Sequence, residues 1–281
     1  MSLYGLLKEY IPQSIQHATE PMQIWHPGVT PFSTLKSTMI MSALYLIIVL
    51  GGREFMRNRP PVSSKLLRTP FLVHNILLSL ASGLLLALYL EEMLPYAKKY
   101  GWHDSICVYG ATSSRMTLFY IINYYFKYWE FVDTFFLVAK KKPLMFLHVY
   151  HHVATAFLCW TQIVGRTPMA WAIICLNLFV HVIMYAYYAA SSVGIRFPFK
   201  KLITLMQIVQ FFVDLYICYY GSAYILHLLT TAYNHYATYF FPWLPHRHCD
   251  GDHIYAWTGI VILSSYLVLF IFCTYFFSRL R

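Results

Sequence analysis

Three histidines lie close together at the start of an apolar stretch, in the run FLHVYHH. His148, His151 and His152 stand at positions i, i+3 and i+4, which places all three on one face of a helix. Imidazole can act as an acid, a base or a nucleophile near neutral pH, and it is also a common metal ligand. A single histidine on an apolar face is usually a core residue, but three in one turn predict chemistry.

A second set of polar residues is charged and lies in the preceding apolar stretch, MTLFYIINYYFKYWEFVDTFFLV. Lys127, Glu130 and Asp133 would each cost about 2.5–3.5 kcal/mol near the middle of a bilayer. Lys127 and Glu130 are three residues apart, so they share a helical face and can pair. A buried network that only fixes helix packing remains an alternative, but charge inside a membrane usually indicates function.

Two further apolar stretches carry polar residues at helical spacing. Asn177 and His181 are four residues apart in NLFVHVIMYAYY, and Tyr185 continues the same face by another turn. Gln207 and Gln210 repeat at a spacing of three in TLMQIVQ. Hydrogen bonding between helices explains the glutamines equally well. We take His181, with the three histidines of the run, as a candidate catalytic residue. The candidates for support of this site are Lys127, Glu130, Asp133, Asn177, Tyr185, Gln207 and Gln210.

The composition determines the class of protein. Hydrophobic residues make up 59% of the 281 residues and charged residues only 11%, whereas a soluble domain has roughly 25% charged residues. Disorder and a simple soluble enzyme are therefore excluded. The formal net charge is +10, but the basic residues lie in short runs between apolar segments, so nucleic acid is not an expected partner.

Prolines separate seven apolar stretches that are long enough to cross about 30 Å of hydrocarbon as helices. We predict an all-α, polytopic membrane protein with seven transmembrane helices. The predicted spans are 35–52, 71–90, 116–138, 145–163, 169–190, 202–226 and 254–277.

Lysine and arginine counts predict the orientation of these spans. The loops 53–70, 139–144 and 191–201 and the tail 278–281 carry thirteen of the 21. The N-terminus is therefore expected in the lumen and the C-terminus in the cytosol. The predicted organisation is a lumenal segment 1–34, a seven-helix domain 35–277 and a short cytosolic tail 278–281.

Four of the predicted helices carry their polar residues in the half nearest the basic loops. This predicts a cavity open to the cytosol, with cations at its mouth for a polyanionic head and apolar depth for a chain. Cys107 and Cys249 alone among the six cysteines lie in loops, and both loops are predicted lumenal. We hypothesise a disulfide between them, with two free thiols as the open alternative.

The histidines also raise the question of a metal. HxxHH runs occur in membrane di-iron desaturases, which need more histidines than this half of the chain offers; a single zinc ion stays open from ligand types alone. We predict no metal and no cofactor. The histidines of this half are His74, His148, His151, His152 and His181.

Four motifs in the order of the chain resemble one family. KYWEFVDTFF fits KxxExxDT, LHVYHH fits HxxHH, NLFVHVIMYAYY fits NxxxHxxMYxYY and TLMQIVQ fits TxxQxxQ. Together they resemble the ELO family of fatty-acid elongases, the very-long-chain 3-oxoacyl-CoA synthases, over roughly 30–277. The family implies a multi-pass protein of the endoplasmic reticulum membrane. Many members end in a dilysine signal, whereas this chain ends in SRLR.

The resemblance implies an acyltransferase that condenses a long acyl-CoA with malonyl-CoA. The products would be a 3-oxoacyl-CoA two carbons longer, CO2 and CoA, with no cofactor beyond these thioesters. Membrane lipid and the reductases and dehydratase of the elongation cycle are the implied partners, and a homo-oligomer is compatible with the sequence. The CoA phosphates would bind among Lys140, Lys141, Lys142, Arg196, Lys200 and Lys201.

The mechanism that we expect is ping-pong. One of the histidines His148, His151 and His152, with His151 preferred, would attack the thioester and form an acyl-imidazole. His181 would orient or stabilise the carbanion or the malonyl carboxylate, and His148 and Asn177 would support the rings by hydrogen bonds. A histidine base without a covalent intermediate is the rival mechanism.

Two other classes of membrane protein are alternatives. A G-protein-coupled receptor also has seven helices, but the sequence lacks the motifs expected of such a receptor. A proton-coupled transporter would need polar groups in both halves of the membrane, whereas this chain has them in one half.

Overall fold

The computed structural model describes residues 2–109, 113–195, 197–198, 200–229 and 249–279. Every regular element in these residues is helical, as the sequence predicts. The long helices are α3 (Leu35–Phe55), α4 (Ser64–Tyr100), α6 (Ser114–Ala139), α7 (Phe146–Val164), α8 (Ala170–Ser192), α9 (Lys200–Leu229) and α10 (His253–Arg279). The short ones are α1 (Leu3–Tyr10), α2 (Gln13–Thr19) and α5 (Trp102–Asp104).

Helix α4 is much longer than the predicted span 71–90. It has 37 residues and continues through Pro70 and Pro95, so its length is about 55 Å at ~1.5 Å per residue. The sequence predicts a helix break at each of these prolines, and that prediction is wrong. Each proline removes one backbone hydrogen bond, and membrane helices tolerate this loss. Gly101 ends the helix with a φ of 90°, a conformation that favours glycine.

Five of the seven long helices are apolar and long enough to cross a membrane: α3, α4, α8, α10 and the first 21 residues of α9. The other two, α6 and α7, carry the charged residues and the histidine run that the sequence analysis singled out. The bounds of α6 through α9 agree with the predicted spans to within a few residues. The predicted tail starts inside α10, and its last two residues lie outside the described part of the chain.

The helices pack as a ring. Going around it, α4 contacts α8, α8 contacts α9, α9 contacts α10, α10 contacts α7, α7 contacts α6, and α6 contacts α4 again. Helix α3 lies outside this ring, against α6 and α7. The ring brings the inward faces of α6, α7, α8 and α9 together, and these are the faces that carry the candidate residues.

The N-terminal segment is also helical and is tied to the ring. The backbone N–H groups of Leu3 and Tyr4 donate to the Glu91 carboxylate at 2.6 and 3.0 Å, so this carboxylate caps the N-terminus of α1. The Trp160 indole N–H donates to the Ser33 carbonyl at 2.8 Å. The predicted lumenal segment 1–34 therefore packs at the end of α4 that lies away from Lys65.

A disulfide joins Cys107 and Cys249 at this same end of the molecule. Cys107 lies in a π-helical turn (Ser105–Tyr109) that follows α5, and Cys249 lies shortly before α10. Both cysteines are buried, and the Asp250 N–H donates to the Cys107 carbonyl at 2.8 Å. The pairing hypothesised from their loops is thus the pairing in the structure. We call this the far end, and the opposite end, with Lys140 and Lys200, the basic end.

Candidate active site

The centre of the site is a buried ammonium group. Lys127 is only 2% exposed, and its Nζ donates to Glu130 Oε1 at 2.8 Å and to Asn177 Oδ1 at 2.9 Å. His181 Nδ1 lies 3.3 Å from the same Glu130 oxygen, off the line of a hydrogen bond. The predicted pair on α6 is therefore present, and it also connects α6 to α8. A buried charge of this kind is stable only when it is paired.

The second charged group, Asp133, is held from two sides. His74 Nε2 lies 2.8 Å from Asp133 Oδ1, and the Tyr185 hydroxyl donates to Asp133 Oδ2 at 2.7 Å. These three residues come from α4, α6 and α8. Asp133 therefore connects three helices of the ring through its two carboxylate oxygens. His74 was ambiguous in the sequence, because its partner lies on another helix.

The three histidines of α7 have different surroundings. His148 Nε2 lies 3.0 Å from Thr134 Oγ1, which in turn lies 2.8 Å from the Tyr45 hydroxyl. His152 is 6% exposed and packs with its ring 4.5 Å from the ring of His148. His148 is fixed by a hydrogen bond and His152 by packing.

Of the three histidines on α7, all within the described residues, His151 borders two open spaces and the other two border one. Its ring lies 4.9 Å from the ring of Tyr266, and no hydrogen bond engages its nitrogens among the described residues. It is half-buried, whereas its neighbour His152 is buried. An imidazole in this situation can meet a ligand without first breaking a protein contact.

Two connected hollows meet at His151. The first, which we call the histidine chamber, is lined by the three histidines of α7, His181, the acidic pair Glu130 and Asp133, and Gln207. The second, which we call the apolar tunnel, has a mostly apolar lining. The residues that line both hollows are His151, Asn177, Gln210 and Phe211.

The apolar tunnel runs from His151 towards the far end. Its lining includes Leu158 and Ile163 on α7, so it extends over about twelve residues of that helix, or roughly 18 Å. Tyr120, Gln162 and Ala170 line it near the far end. This shape suits a slender apolar chain.

The chamber connects at the basic end with a cleft that we call the entrance cleft. Lys65, Arg68, Lys140 and Lys200 line it, and Lys200 also lines the chamber. The Lys140 ammonium lies 3.5 Å from the centre of the Phe71 ring. Burial lowers the pKa of Lys140, and repulsion from Lys142 lowers it further. The entrance cleft therefore offers cations to an anionic group whose remainder lies in the chamber.

The structure divides the six cations that were predicted to bind CoA. Lys140 and Lys200 line the entrance cleft, whereas Lys141 and Lys142 line a separate cleft beside α3. Lys201 is exposed and lines neither cleft, and Arg196 lies outside the described residues. Lys65 and Arg68, which in the sequence served only as signals of orientation, also line the entrance cleft.

Two buried polar residues of the apolar tunnel were missed. Asp214 is fully buried and accepts a hydrogen bond from Gln210 Nε2 at 2.9 Å, whereas its Oδ1 has no partner among the described residues. Asn123 Oδ1 is likewise buried without a partner. The signal for Asp214 was its position four residues after Gln210, which continues the face of the glutamines. Gln207 lies in the chamber, with Nε2 3.6 Å from Met184 Sδ.

Within the described part of the chain, no three side chains of His, Cys, Asp or Glu converge as a metal ion would require. The histidine run shows why. His148 faces Thr134, and the rings of His151 and His152 are nearly perpendicular, at 87°, with their centres 5.9 Å apart.

A ring of apolar helices around buried charges and histidines defines a multi-pass membrane protein with an internal site. Comparison with known proteins supplies the family: the model of the ELO (GNS1/SUR4) family matches residues 30–279, so the chain belongs to that family. The chain is 44% identical over 246 residues to putative fatty acid elongase 1 of Schizosaccharomyces pombe, covering 87% of this chain and 70% of the relative.

Two more distant relatives bear similar names. Fatty acid elongase A of Dictyostelium discoideum is 34% identical over 247 residues, which cover 88% of this chain and 84% of the relative. Very long chain fatty acid elongase 6 of Drosophila melanogaster is 32% identical over 174 residues, which cover 59% and 53%.

Proposed function

We propose that the protein is a fatty-acid elongase that condenses a long acyl-CoA with malonyl-CoA. The products are a 3-oxoacyl-CoA two carbons longer, CO2 and CoA. The observation that carries the proposal is the position of His151 at the junction of the histidine chamber and the apolar tunnel. The names of the relatives support the same activity.

The substrate lies along the two hollows and the entrance cleft. The CoA phosphates bind at Lys65, Arg68, Lys140 and Lys200, because these cations line the opening of the chamber. The acyl chain enters the apolar tunnel, where burial of methylene groups is favourable. The thioester carbon then lies beside His151. No further cofactor is needed, since CoA is the leaving group and decarboxylation supplies the carbanion.

The reaction proceeds in two halves. In the first, an imidazole nitrogen of His151 attacks the thioester carbon, the carbon–sulfur bond breaks, and CoA leaves with the proton that the imidazole loses. In the second, malonyl-CoA loses CO2, and the resulting enolate carbon attacks the acyl carbon and displaces His151 as imidazolate, which takes up a proton from solvent and regenerates the neutral histidine. His181 and Asn177 orient the malonyl group, since both line the chamber next to Lys127.

The remaining polar residues position these groups. Glu130 balances the charge of Lys127, whose second hydrogen bond, to Asn177, holds α6 against α8. Asp133 accepts a hydrogen bond from Tyr185 and so fixes the position of that hydroxyl. His148 is held by Thr134, so it supports the face of α7 from which His151 projects. Such positioning matters because misplacement of a reacting group by about 1 Å costs roughly 100-fold in rate.

The decisive experiment uses purified protein with a long acyl-CoA and isotopically labelled malonyl-CoA, analysed by mass spectrometry. Labelled 3-oxoacyl-CoA is expected from the parent protein and from His26→Ala, an exposed histidine outside the site. Folded His151→Ala should give none. With acyl-CoA alone, an increase in protein mass by one acyl group supports the covalent route. Turnover without any adduct would favour the histidine base, and no product from folded parent protein would contradict the proposal.

The orientation is part of the proposal. All seven long helices cross the endoplasmic reticulum membrane, with the N-terminus and the far end in the lumen and the basic end and C-terminus in the cytosol. The disulfide at the far end supports this, because such bonds persist in oxidising compartments. Glycosylation acceptor sites added at either terminus test it: modification is expected only at the N-terminus. The reductases and dehydratase that complete the cycle then act on products released at the cytosolic face.

A further inference from the structure

A second basic cleft lies beside α3 and plays no part in the proposed reaction. We call it the α3 cleft. It shares no lining residue with the entrance cleft, so a CoA molecule bound at one does not occupy the other. The charged residues that line it are Arg53, Glu54, Arg57, Lys141 and Lys142, which leaves a clear excess of positive charge.

Two of these cations are held by the protein. Lys141 has a φ of 51° and donates from Nζ to the carbonyls of Arg57 and Arg59, at 3.0 Å each. Arg57 pairs with Glu54 at 3.0 Å. These contacts fix the end of α3 against the loop after α6, and so they fix the shape of the cleft.

The other two cations, Arg53 and Lys142, make no ion pair within the described part of the chain. Both are exposed, one on α3 and one on the loop after α6. They therefore lie on two sides of the cleft with their charges available to an anion.

The base of the cleft is apolar, with Leu50, Val138 and Leu144 in its lining. Below it, α3 turns an apolar face outward, on which Ile47 is 66% exposed and Ile48 53%. Helix α3 is long and apolar enough to span a membrane. Hydrocarbon chains would cover this face, and their headgroups would lie at the level of the cleft.

We propose that the α3 cleft binds the phosphate-bearing headgroup of an anionic phospholipid whose chains pack on the outer face of α3. Basic pockets between membrane helices are suited to such headgroups. The lipid is favoured over free phosphate or CoA because the cationic rim continues directly into an apolar surface at membrane depth. A soluble anion would use the cations but not that surface.

The test measures thermal unfolding of the full chain in phosphatidylcholine nanodiscs, with and without phosphatidylinositol phosphate. Added anionic lipid should raise the melting temperature of the parent protein. When the anionic lipid is titrated, the variant Arg53→Gln/Lys142→Gln should bind it about thirtyfold more weakly than the parent protein does. This corresponds to roughly 1 kcal/mol for each cation removed.

The matched control is Lys65→Gln/Arg68→Gln, which removes two cations from the entrance cleft at the same end of the molecule. It should keep the response to anionic lipid. Equal losses in both variants would overturn the proposal, because general attraction to a basic surface would then explain the response. Equal stabilisation by inorganic phosphate or free CoA, lost in Arg53→Gln/Lys142→Gln, would also overturn it in favour of a soluble ligand.

Discussion

The histidine chamber and the apolar tunnel hold their buried carboxylates differently. In the chamber, each oxygen of Asp133 has a partner at hydrogen-bond distance, and Glu130 is paired with the ammonium of Lys127. In the tunnel, Asp214 keeps one buried oxygen with no partner among the described residues, and so does Asn123. The chamber is therefore preorganised by its own contacts. His151 lines both hollows, and no hydrogen bond engages its ring nitrogens among the described residues, so it is available to a substrate.

The largest expected effect is on His151. If it carries the acyl group, His151→Ala should lower kcat by about 10³-fold or more, in line with losses of acid–base or nucleophilic groups. His152→Ala should fold less well but retain measurable turnover, because its ring packs against that of His148 and does not reach the tunnel in which the acyl chain would lie. Steady-state elongation assays on both variants test the comparison, with circular dichroism as the control for folding. Full activity in His151→Ala would remove the basis for assigning the nucleophile.

A loss of stability is expected where the chamber contacts are cut. Lys127→Met leaves Glu130 buried without its cation and should destabilise the protein by about 3–5 kcal/mol. The double variant Lys127→Met/Glu130→Gln removes both charges and should recover part of that loss. Thermal unfolding in one detergent provides the measurement. If the single and double variants unfold at the same temperature, the pair does not hold α6 against α8 as described.

The tunnel should respond more weakly. Asp214→Leu removes the hydrogen-bond acceptor of Gln210 and should lower the free energy of unfolding by about 1–3 kcal/mol, because the buried amide donor of Gln210 is left without a partner. Asp214→Leu/Gln210→Met removes both partners and should be closer to the parent protein in stability. Asn123→Leu is the matched tunnel control and should change stability little. A double variant as unstable as the sum of the single variants would show that the two residues act independently.

The smallest expected effect is on how the KM for acyl-CoA at the entrance cleft depends on pH. Burial and Lys142 lower the pKa of Lys140, so this ammonium loses its proton at a lower pH than an ordinary lysine. The KM for acyl-CoA should therefore rise severalfold as the pH increases into the alkaline range. In Lys140→Arg the rise should shift to higher pH, because arginine stays protonated. Superimposable KM profiles for the two proteins would show that Lys140 does not contact the substrate.

The sequence predicted contacts within a helix better than contacts between helices. Lys127 and Glu130 pair because a spacing of three residues fixes their common face on α6. The bond from Lys127 to Asn177 needs α8 beside α6, and the contact of His74 with Asp133 needs α4 there as well. Spacing on one helix contains no information about its neighbours, so these partners could not be predicted.

The basic run Lys140–Lys142 shows a second kind of limit. It was interpreted as one anion site, but it follows the end of α6, where Lys141 takes a positive φ and the chain changes direction. Consecutive side chains then point to different sides, and Lys140 separates from the other two. The disulfide could be predicted from the sequence, because only two of the six cysteines lie in predicted loops and the disulfide joins those two.

The disulfide also implies an order of events during synthesis. Its cysteines are 142 residues apart and enclose α6, α7, α8 and α9, whereas α10 follows Cys249. A ribosome therefore delivers both thiols before it delivers the last helix. That helix contacts α7 and α9 and places Tyr266 beside His151. Because the closing wall of the ring is the last part to leave the ribosome, a nascent chain can seal its far end while its reaction site is still open on one side.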